Sequence, residues 1–252
     1  MRYSSRFEYK YIVAPSDYYA VKHALRPFIE QDPHTVIAPE HKYLVRSVYF
    51  DTFDLRAFHE REDGQYGRIK LRLRAYATTP EAADSVSVEL KTKQGTPMKK
   101  YSEQVPLSDY ETFLRTGSFP SGVSSVVDEF ERLRHTRVLM PQIIVQYRRE
   151  GYQARLEDDL RITFDHGVSS ARAKTLFDHN LSFKLHRPKN VILEIKCPMN
   201  RPDWLKRIVK TYDLKAITNS KYVQGIEVVR PNMVTPRVEV ARKKRLSEDD
   251  WR

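Results

Sequence analysis

Residues 68–74 read Arg-Ile-Lys-Leu-Arg-Leu-Arg, so a cationic side chain occupies every second position. Because successive residues of a β-strand point to opposite faces of a sheet, this segment would form one basic face and one apolar face. The same alternation recurs at residues 6–10 (Arg-Phe-Glu-Tyr-Lys) and at residues 87–93 (Ser-Val-Glu-Leu-Lys-Thr-Lys). Three such segments indicate a sheet with a cationic face, which favours a polyanionic ligand.

An ordinary explanation of the same pattern stays open. Antiparallel strands with one face in water also alternate polar and apolar residues. Such solvated faces usually mix Thr, Ser, Glu and Lys, whereas Arg and Lys dominate here. The alternation by itself therefore leaves the basic binding face and the solvated face as competing interpretations.

Composition sets the broad class. The chain has 252 residues, with 44 Lys and Arg against 33 Asp and Glu and a formal net charge of +11. This excess favours phosphate-rich partners, whether nucleic acid, anionic lipid or phosphate esters. The single cysteine, Cys197, excludes an internal disulfide framework. The first residues lack the apolar core of a signal peptide, and no stretch approaches ~18 apolar residues, so we expect a soluble, cytoplasmic protein without a membrane span.

Strand patterns outnumber helical ones along the chain. Helices are predicted after Ser16, from the capping box at residues 108–111, over residues 123–134 and from Pro202. After the strand at residues 6–10, further strands are predicted at residues 43–50, 68–76, 85–93, 99–106, 142–150, 160–165, 190–196 and 221–229. Short, sequential strands predict an α+β fold in which an antiparallel sheet closes into a β-barrel with the helices packed outside.

The chain divides into one domain and a tail. Residues 1–230 carry the periodic segments and form the predicted domain. Periodicity is lost over residues 231–252, where Arg-Lys-Lys-Arg at 242–245 precedes Glu-Asp-Asp at 248–250. This pattern predicts a flexible, charged C-terminal tail.

Common catalytic signatures are absent from the sequence. It contains no glycine-rich P-loop, no Gly-x-Ser-x-Gly elbow, no His-Glu-x-x-His motif and no paired cysteine spacing. The histidines are scattered without the spacing of metal ligands, which favours surface or structural roles. The basic residues are therefore the main candidates for function.

Taken in order, the charged segments resemble a known family. The chain is similar to the VTC-type polyphosphate polymerase domain of the triphosphate tunnel metalloenzyme (CYTH-like) superfamily, over nearly its whole length to about residue 230. The resemblance implies an eight-stranded antiparallel tunnel lined by Arg and Lys. The matching segments are residues 6–11, 47–52, 68–76, 88–93, 147–152, 161–165, 193–196 and 219–225.

Site residues follow from the resemblance by motif position. It implies that Glu194 binds a divalent metal, Mn²⁺ or Mg²⁺, through oxygen. Glu8 and Glu89 are either further ligands or carboxylates that neutralise neighbouring cations. Phosphate contacts are implied for ten cations, of which the first four would act in catalysis: Lys10, Arg46, Arg72, Arg74, Arg61, Lys91, Lys100, Arg149, Arg161 and Lys221.

The implied activity is a phosphotransferase, a polyphosphate polymerase that moves the γ-phosphoryl group of ATP onto inorganic polyphosphate. Hydrolytic relatives use paired Glu-x-Glu motifs, whereas this chain offers Arg6-x-Glu8-x-Lys10 and Glu194-x-Lys196, which favours handling of a phosphate chain. Against this, Thr218 stands where the polymerase pattern has a second basic residue.

Two alternatives stay open, a metal-dependent triphosphatase and a non-catalytic polyphosphate-binding module. Nucleic acid is a less favoured partner, because the basic residues alternate with aliphatic ones and form no exposed stripe with stacking aromatics. A membrane partner protein is possible, and the oligomeric state is left open.

Overall fold

The structure, a computed structural model, describes residues 7–62, 67–94, 98–157, 159–198 and 200–234. These ranges contain ten strands and seven α-helices. The strands are β1 (Phe7–Val13), β2 (Ile29–Gln31), β3 (Tyr43–Asp51), β4 (Gly67–Ala75), β5 (Ser85–Gln94), β6 (Met98–Pro106), β7 (Met140–Ala154), β8 (Arg161–Arg172), β9 (Lys184–Leu185) and β10 (Val191–Cys197). The helices are α1 (Pro15–Leu25), α2 (Pro33–Ile37), α3 (Arg56–Glu62), α4 (Leu107–Thr116), α5 (Ser125–Thr136), α6 (Asp203–Thr211) and α7 (Lys221–Val229).

One antiparallel sheet organises the domain. Eight strands follow the order β1-β10-β8-β7-β3-β4-β5-β6, while the short strands β2 and β9 pair with β7 and β8. The predicted α+β class with a large antiparallel sheet is therefore confirmed. The sheet differs from the predicted eight-stranded closed barrel, because it has ten strands and no hydrogen-bonded ladder joins β1 to β6 within the described ranges.

The sheet nevertheless curves around an enclosed space. Glu8 of β1 and Lys91 of β5 line the same cavity, although five strands lie between β1 and β5 in the strand order. The charges of these two side chains also affect each other's pKa. The concave face of the sheet is thus the face that carries the alternating charges.

The apolar alternate residues build the cores on the convex face. Leu71, Leu73 and Leu90 are fully buried against α4 and α5. In β10, also on the convex face, Leu193 and Ile195 pack against α1 and α6. Burial of these side chains contributes roughly 1.5–3 kcal/mol each, so the alternation that creates the basic face also stabilises the fold.

Helix α7 packs on the concave face, which departs from the predicted placement of every helix outside. Its Tyr222, Val223 and Ile226 share an apolar cluster with Val45 of β3 and Tyr147 of β7. The sequence prediction of a strand over residues 221–229 is wrong. Aromatic and β-branched residues favour strands, yet the buried residues here follow the i, i+1, i+4 spacing of a helix.

Local signals account for one end of each of three helices. The Ser220 side chain accepts a hydrogen bond from the Val223 amide at the start of α7, and Ser124 does the same for Val127 at the start of α5. Gly117 ends α4 in the left-handed conformation, with φ of +81°. The predicted capping box differs, because Pro106 precedes the first turn of α4 and Ser108 lies inside the helix.

The C-terminal prediction is only partly covered by the structure. Residues Pro231–Met233 form a 3₁₀ turn that follows α7. Residues 235–252, which hold most of the predicted tail, lie outside the described residues. In the described ranges, no helix has both the length and the apolar character needed to cross a membrane.

Candidate active site

A basic cavity lies on the concave face of the sheet. Its volume is about 270 Å³. Among the described residues, nine Lys and Arg side chains line it against two carboxylates, Glu8 and Glu194. The cations are Lys10, Lys70, Arg72, Arg74, Lys91, Lys100, Arg149, Lys196 and Lys221.

Strand β4 supplies three of these cations at alternate positions, because Lys70, Arg72 and Arg74 share one face. Arg72 is held on both sides: its Nε donates to Glu89 Oε2 at 2.8 Å and its Nη1 donates to the Tyr49 hydroxyl at 2.9 Å. The Nε of Arg74 donates to the Ser47 hydroxyl at 3.2 Å. Both guanidinium groups are therefore fixed in place before any ligand binds.

Glu89 is the carboxylate that organises this side of the cavity. It lies opposite Arg72 in the β4–β5 register and also approaches Arg74 at 3.6 Å and Lys100 at 3.2 Å. Burial would raise the pKa of Glu89, but the charges of these cations hold it well below its usual range. Glu89 is thus ionised and serves as a counter-ion.

A second ionic network lies across β7, β8, β10 and α7. Arg149 forms a bidentate pair with Asp165, with distances of 2.6 and 2.8 Å, and its Nη2 donates to Glu194 Oε2 at 3.3 Å. The Lys221 ammonium forms an ion pair with Asp165 Oδ2 at 2.6 Å and donates a hydrogen bond to Glu194 Oε1. Lys10 completes the network at 3.7 Å from Glu194.

Glu194 is charged in this setting. Its burial favours the neutral acid, but the charges of Lys221, Lys10 and Arg149 hold the pKa of Glu194 well below its usual range. Burial would lower the pKa of Lys221, but the charges of Asp165 and Glu194 raise it. The network therefore presents both fixed cations and one ionised carboxylate to the cavity.

Lys91 and Lys196 differ from their neighbours. Among the described residues neither ammonium group forms an ion pair within 4.0 Å. The pKa of Lys91 is lowered well below its usual value, chiefly by the charge of Arg72 and then by burial. Burial, the largest effect, also lowers the pKa of Lys196. Glu8 partly opposes this effect at both lysines, and Glu194 does so at Lys196. In the free protein the crowding of cations thus disfavours the charged form of these two ammonium groups.

The donors for a divalent metal are few. In the described part of the chain, no group of three or more Asp, Glu, His or Cys side chains is arranged to hold an ion. Glu8 and Glu194 both face the cavity, with Lys10 3.6 and 3.7 Å from them. Two carboxylates do fit Mg²⁺ or Mn²⁺ that arrives with a phosphate ligand, because such ions use one or two carboxylates together with phosphate oxygens.

The structure brings most of the candidate site residues together. At the edge of the same face, Arg161 pairs with Lys196 in the β8–β10 register and its side chain is exposed. Arg61 lies in α3, and its side chain is outside the described part of the chain. The candidates that line the cavity are Lys10, Arg72, Arg74, Lys91, Lys100, Arg149, Glu194 and Lys221.

Arg46 does not belong to this group, which corrects the expectation that it points into the cavity. It pairs with Ala75 of β4, a residue of the convex-face core, whereas its neighbour Ser47 contacts Arg74. The Arg46 guanidinium donates to the backbone carbonyls of Thr78 at 3.3 Å and Asp178 at 3.0 Å. Its basic character matched the motif, but its position in the alternation places it on the opposite face.

Three further residues of the site were missed as candidates. Lys70 and Lys196 line the cavity, and Asp165 is fully buried between Arg149 and Lys221. The alternation contained the signal for both lysines, since Lys70 shares a face with Arg72 and Lys196 shares one with Glu194. The role of Asp165 depends on a contact with a residue 56 positions later, which no local pattern reveals.

Comparison with protein families accounts for this arrangement. The family model for the VTC domain matches residues 5–230. The chain belongs to the VTC domain family. The match spans all the strands and helices described above, and it confirms the resemblance inferred from the charged segments. No curated protein sequence matches the chain.

Several solved structures were found to be similar to this chain. A putative adenylate cyclase from Bacillus halodurans aligns with a TM-score of 0.51 and 15% identity, over 87% of this chain and 97% of that one. The protein PH1819 from Pyrococcus horikoshii OT3 aligns with a TM-score of 0.45 and 13% identity, over 86% and 97% of the two chains. The capping enzyme triphosphatase of Mimivirus matches with a TM-score of 0.27 and 10% identity, over 84% and 90%. The similarity to the putative adenylate cyclase concerns the fold alone.

Proposed function

We propose that this VTC domain is a polyphosphate polymerase, which transfers the γ-phosphoryl group of ATP to the end of an inorganic polyphosphate chain inside the basic cavity. The observation that carries the proposal is the excess of Lys and Arg over carboxylates in the described lining of the cavity, where nine cations face Glu8 and Glu194. Like charges crowded into a partly enclosed cavity repel one another, so the cavity gains most from a ligand that brings several negative charges in a row.

The fixed arginines suit the transferring group. Arg guanidinium groups bind phosphate oxygens bidentately, whereas Lys ammonium groups act as mobile point charges. Arg72 and Arg74 are held by Glu89, Tyr49 and Ser47, so little reorganisation is needed as charge develops. Such preorganised donors contribute roughly 10²-fold or more in rate.

The reaction requires no covalent protein intermediate. A terminal oxygen of the polyphosphate chain attacks the γ-phosphorus of ATP, a new P–O bond forms, and the bond to the β–γ bridging oxygen breaks to release ADP. The proteins that catalyse such in-line transfers supply mainly positioning and charge stabilisation. In this site, Arg72 and Arg74 would contact the transferring group, while Lys10, Lys91, Lys100, Arg149 and Lys221 would bind the remaining phosphates.

A divalent cation belongs to this proposal. Glu194 would hold Mn²⁺ or Mg²⁺, with Glu8 as the second carboxylate of the cavity. When bound, the ion would neutralise charge on the phosphate oxygens and orient them. The antiparallel tunnel closed between β1 and β6 is likewise part of the proposal, since residues of both strands line the cavity.

Product analysis tests the proposal. Purified protein is incubated with ATP, Mn²⁺ and tripolyphosphate as the acceptor, and the products are separated by size. We expect phosphate chains longer than three units together with ADP, and their loss in Arg72→Ala. Free orthophosphate without any longer chain would instead identify a triphosphatase. Tight polyphosphate binding without ATP turnover, unchanged when the metal is removed, would identify a binding module.

A further inference from the structure

Three aromatic rings cluster beside the basic cavity. The His34 and Tyr76 rings are nearly parallel, with an angle of 9° and centroids 6.1 Å apart. The Tyr43 ring meets both, with centroids 5.7 Å from His34 and 6.0 Å from Tyr76. Their positions come from three different segments, namely α2, β3 and the residue that follows β4.

The register places this cluster where the row of arginines ends. Tyr76 is the next inward position after Lys70, Arg72 and Arg74, about 7 Å beyond Arg74 along the strand. Tyr43 lies opposite Arg149, which lines the cavity. A ligand that extends from the arginines in this direction would therefore meet aromatic rings.

The cluster is both accessible and held in place. The Tyr76 side chain is 48% exposed, so part of its ring is free for contact. His34 lies on α2, which is anchored by Asp32 at its first turn and by the Thr35 hydroxyl, which accepts from the Gly151 amide at 2.7 Å. An exposed aromatic ring offers a phosphate chain little, but it can stack on a planar heterocycle.

We propose that Tyr76, supported by His34 and Tyr43, stacks against the base of the nucleoside triphosphate whose phosphates occupy the basic cavity. This inference rests on the proposed function for the phosphate site and adds a second subsite to it. The four residue steps from Arg72 to Tyr76 span about 14 Å along the strand, which leaves room for the β- and α-phosphates and the ribose between the γ-phosphate and the base. The donor nucleotide would thus enter from the Tyr76 side.

A comparison of two ligands tests the base site. Calorimetry measures the affinity of wild type, Tyr76→Ala and Tyr76→Phe for ATP and for tripolyphosphate in the same magnesium buffer. Stacking on one base is worth ~1–3 kcal/mol, so Tyr76→Ala should bind ATP about tenfold more weakly, while its affinity for tripolyphosphate stays at the wild-type value. Tyr76→Phe keeps the ring and should bind both ligands as wild type does.

A matched control is Tyr101→Ala. Tyr101 is 47% exposed, and it pairs with Leu90 on the convex face of the sheet, so its loss should alter neither affinity. If wild type binds tripolyphosphate but Tyr76→Ala binds ATP normally, the base site is wrong and the phosphate site stands. If Tyr76→Ala loses affinity for ATP and for tripolyphosphate by the same factor, Tyr76 only supports the fold, and this result too overturns the inference. If wild type binds neither ligand, the proposed function itself fails.

Discussion

Arg72 of β4 and Glu89 of β5 lie opposite each other, and the Arg72 Nε and Nη2 groups both donate to one oxygen of Glu89. The other Glu89 oxygen lies 3.6 Å from Arg74 and 3.2 Å from Lys100. A single buried carboxylate thus holds three cations of the cavity in place. Because this leaves the cavity with a net positive charge, the pair fixes the geometry of the site without neutralising it.

The first prediction concerns this arginine. Arg72→Ala removes a fixed charge from the transferring group and should lower the rate of phosphoryl transfer by roughly 10²-fold or more. Arg72→Lys should not restore the full rate, because a point charge cannot reproduce the bidentate fork. Steady-state rates of ADP formation measure both variants. Arg148→Ala is the control, since Arg148 is exposed and pairs with the exposed Glu40. A normal rate in Arg72→Ala would remove Arg72 from the catalytic role.

The second prediction concerns the metal ligand. Glu194→Gln should abolish Mn²⁺-dependent turnover, since a neutral amide is a poor ligand for a hard cation. Polyphosphate binding should stay intact or become stronger, because the change removes a negative charge from a basic cavity. Asp165 remains to pair with Arg149 and Lys221, which keeps these cations in place.

Metal titrations of turnover, together with polyphosphate affinity, separate the possible outcomes for Glu194→Gln. The control is Glu129→Gln, because Glu129 lies on the exposed face of α5 and pairs with Arg132. Wild-type rates with Mn²⁺ in Glu194→Gln would contradict the assignment of Glu194 as the metal ligand.

The third prediction concerns pH. The pKa of Lys91 is lowered in the free protein, and a bound polyanion would raise it again by favouring the charged ammonium. Tripolyphosphate binding should therefore take up protons, and its affinity should fall as the pH rises above the lowered pKa of Lys91. Calorimetry in buffers of different ionisation enthalpy measures this uptake. Lys91→Met should reduce it, whereas Lys206→Met on α6 should not; equal uptake in both variants would contradict the account.

The same shift has a consequence for stability. Between the lowered folded-state pKa of Lys91 and its usual value of 10.5, the unfolded chain binds more protons than the folded chain does. The contribution of Lys91 to the free energy of unfolding therefore increases with pH in this window. Chemical denaturation of wild type and Lys91→Met should show a smaller pH dependence in the variant.

The fourth prediction concerns the helix that carries Lys221. A Cβ on Gly225 would lie 2.5 Å from Ile143 Cδ1 and 2.6 Å from Ser170 Oγ, so α7 must shift or its neighbours must move. Overpacking of this kind costs about 1–3 kcal/mol, which exceeds the gain of up to ~1 kcal/mol from replacing a helical glycine. Gly225→Ala should therefore lower the free energy of unfolding, and adding Ile143→Val should recover part of the loss. A Gly225→Ala protein as stable as wild type would contradict this packing.

The alternation of charges predicted much of the site, and its failures have physical causes. Lys70, Arg72 and Arg74 share a face because strand geometry alone determines it. Arg46 failed because its residue type matched while its position in the alternation did not. The strand predicted at 221–229 failed because Tyr222 and Val223 suit a strand locally, whereas their packing on Tyr147 stabilises a helix. Sheet closure depends on pairing between distant strands, which local patterns do not encode.

The most direct test of the account follows the γ-phosphate of ATP itself. The protein is incubated with tripolyphosphate, Mn²⁺ and ATP labelled at the γ-phosphate, and labelled chains, ADP and orthophosphate are quantified. The account predicts labelled tetrapolyphosphate and ADP in equal amounts at early times, and roughly 10²-fold less of both with Arg72→Ala. Label that appears only in orthophosphate, with tripolyphosphate unchanged, would contradict it.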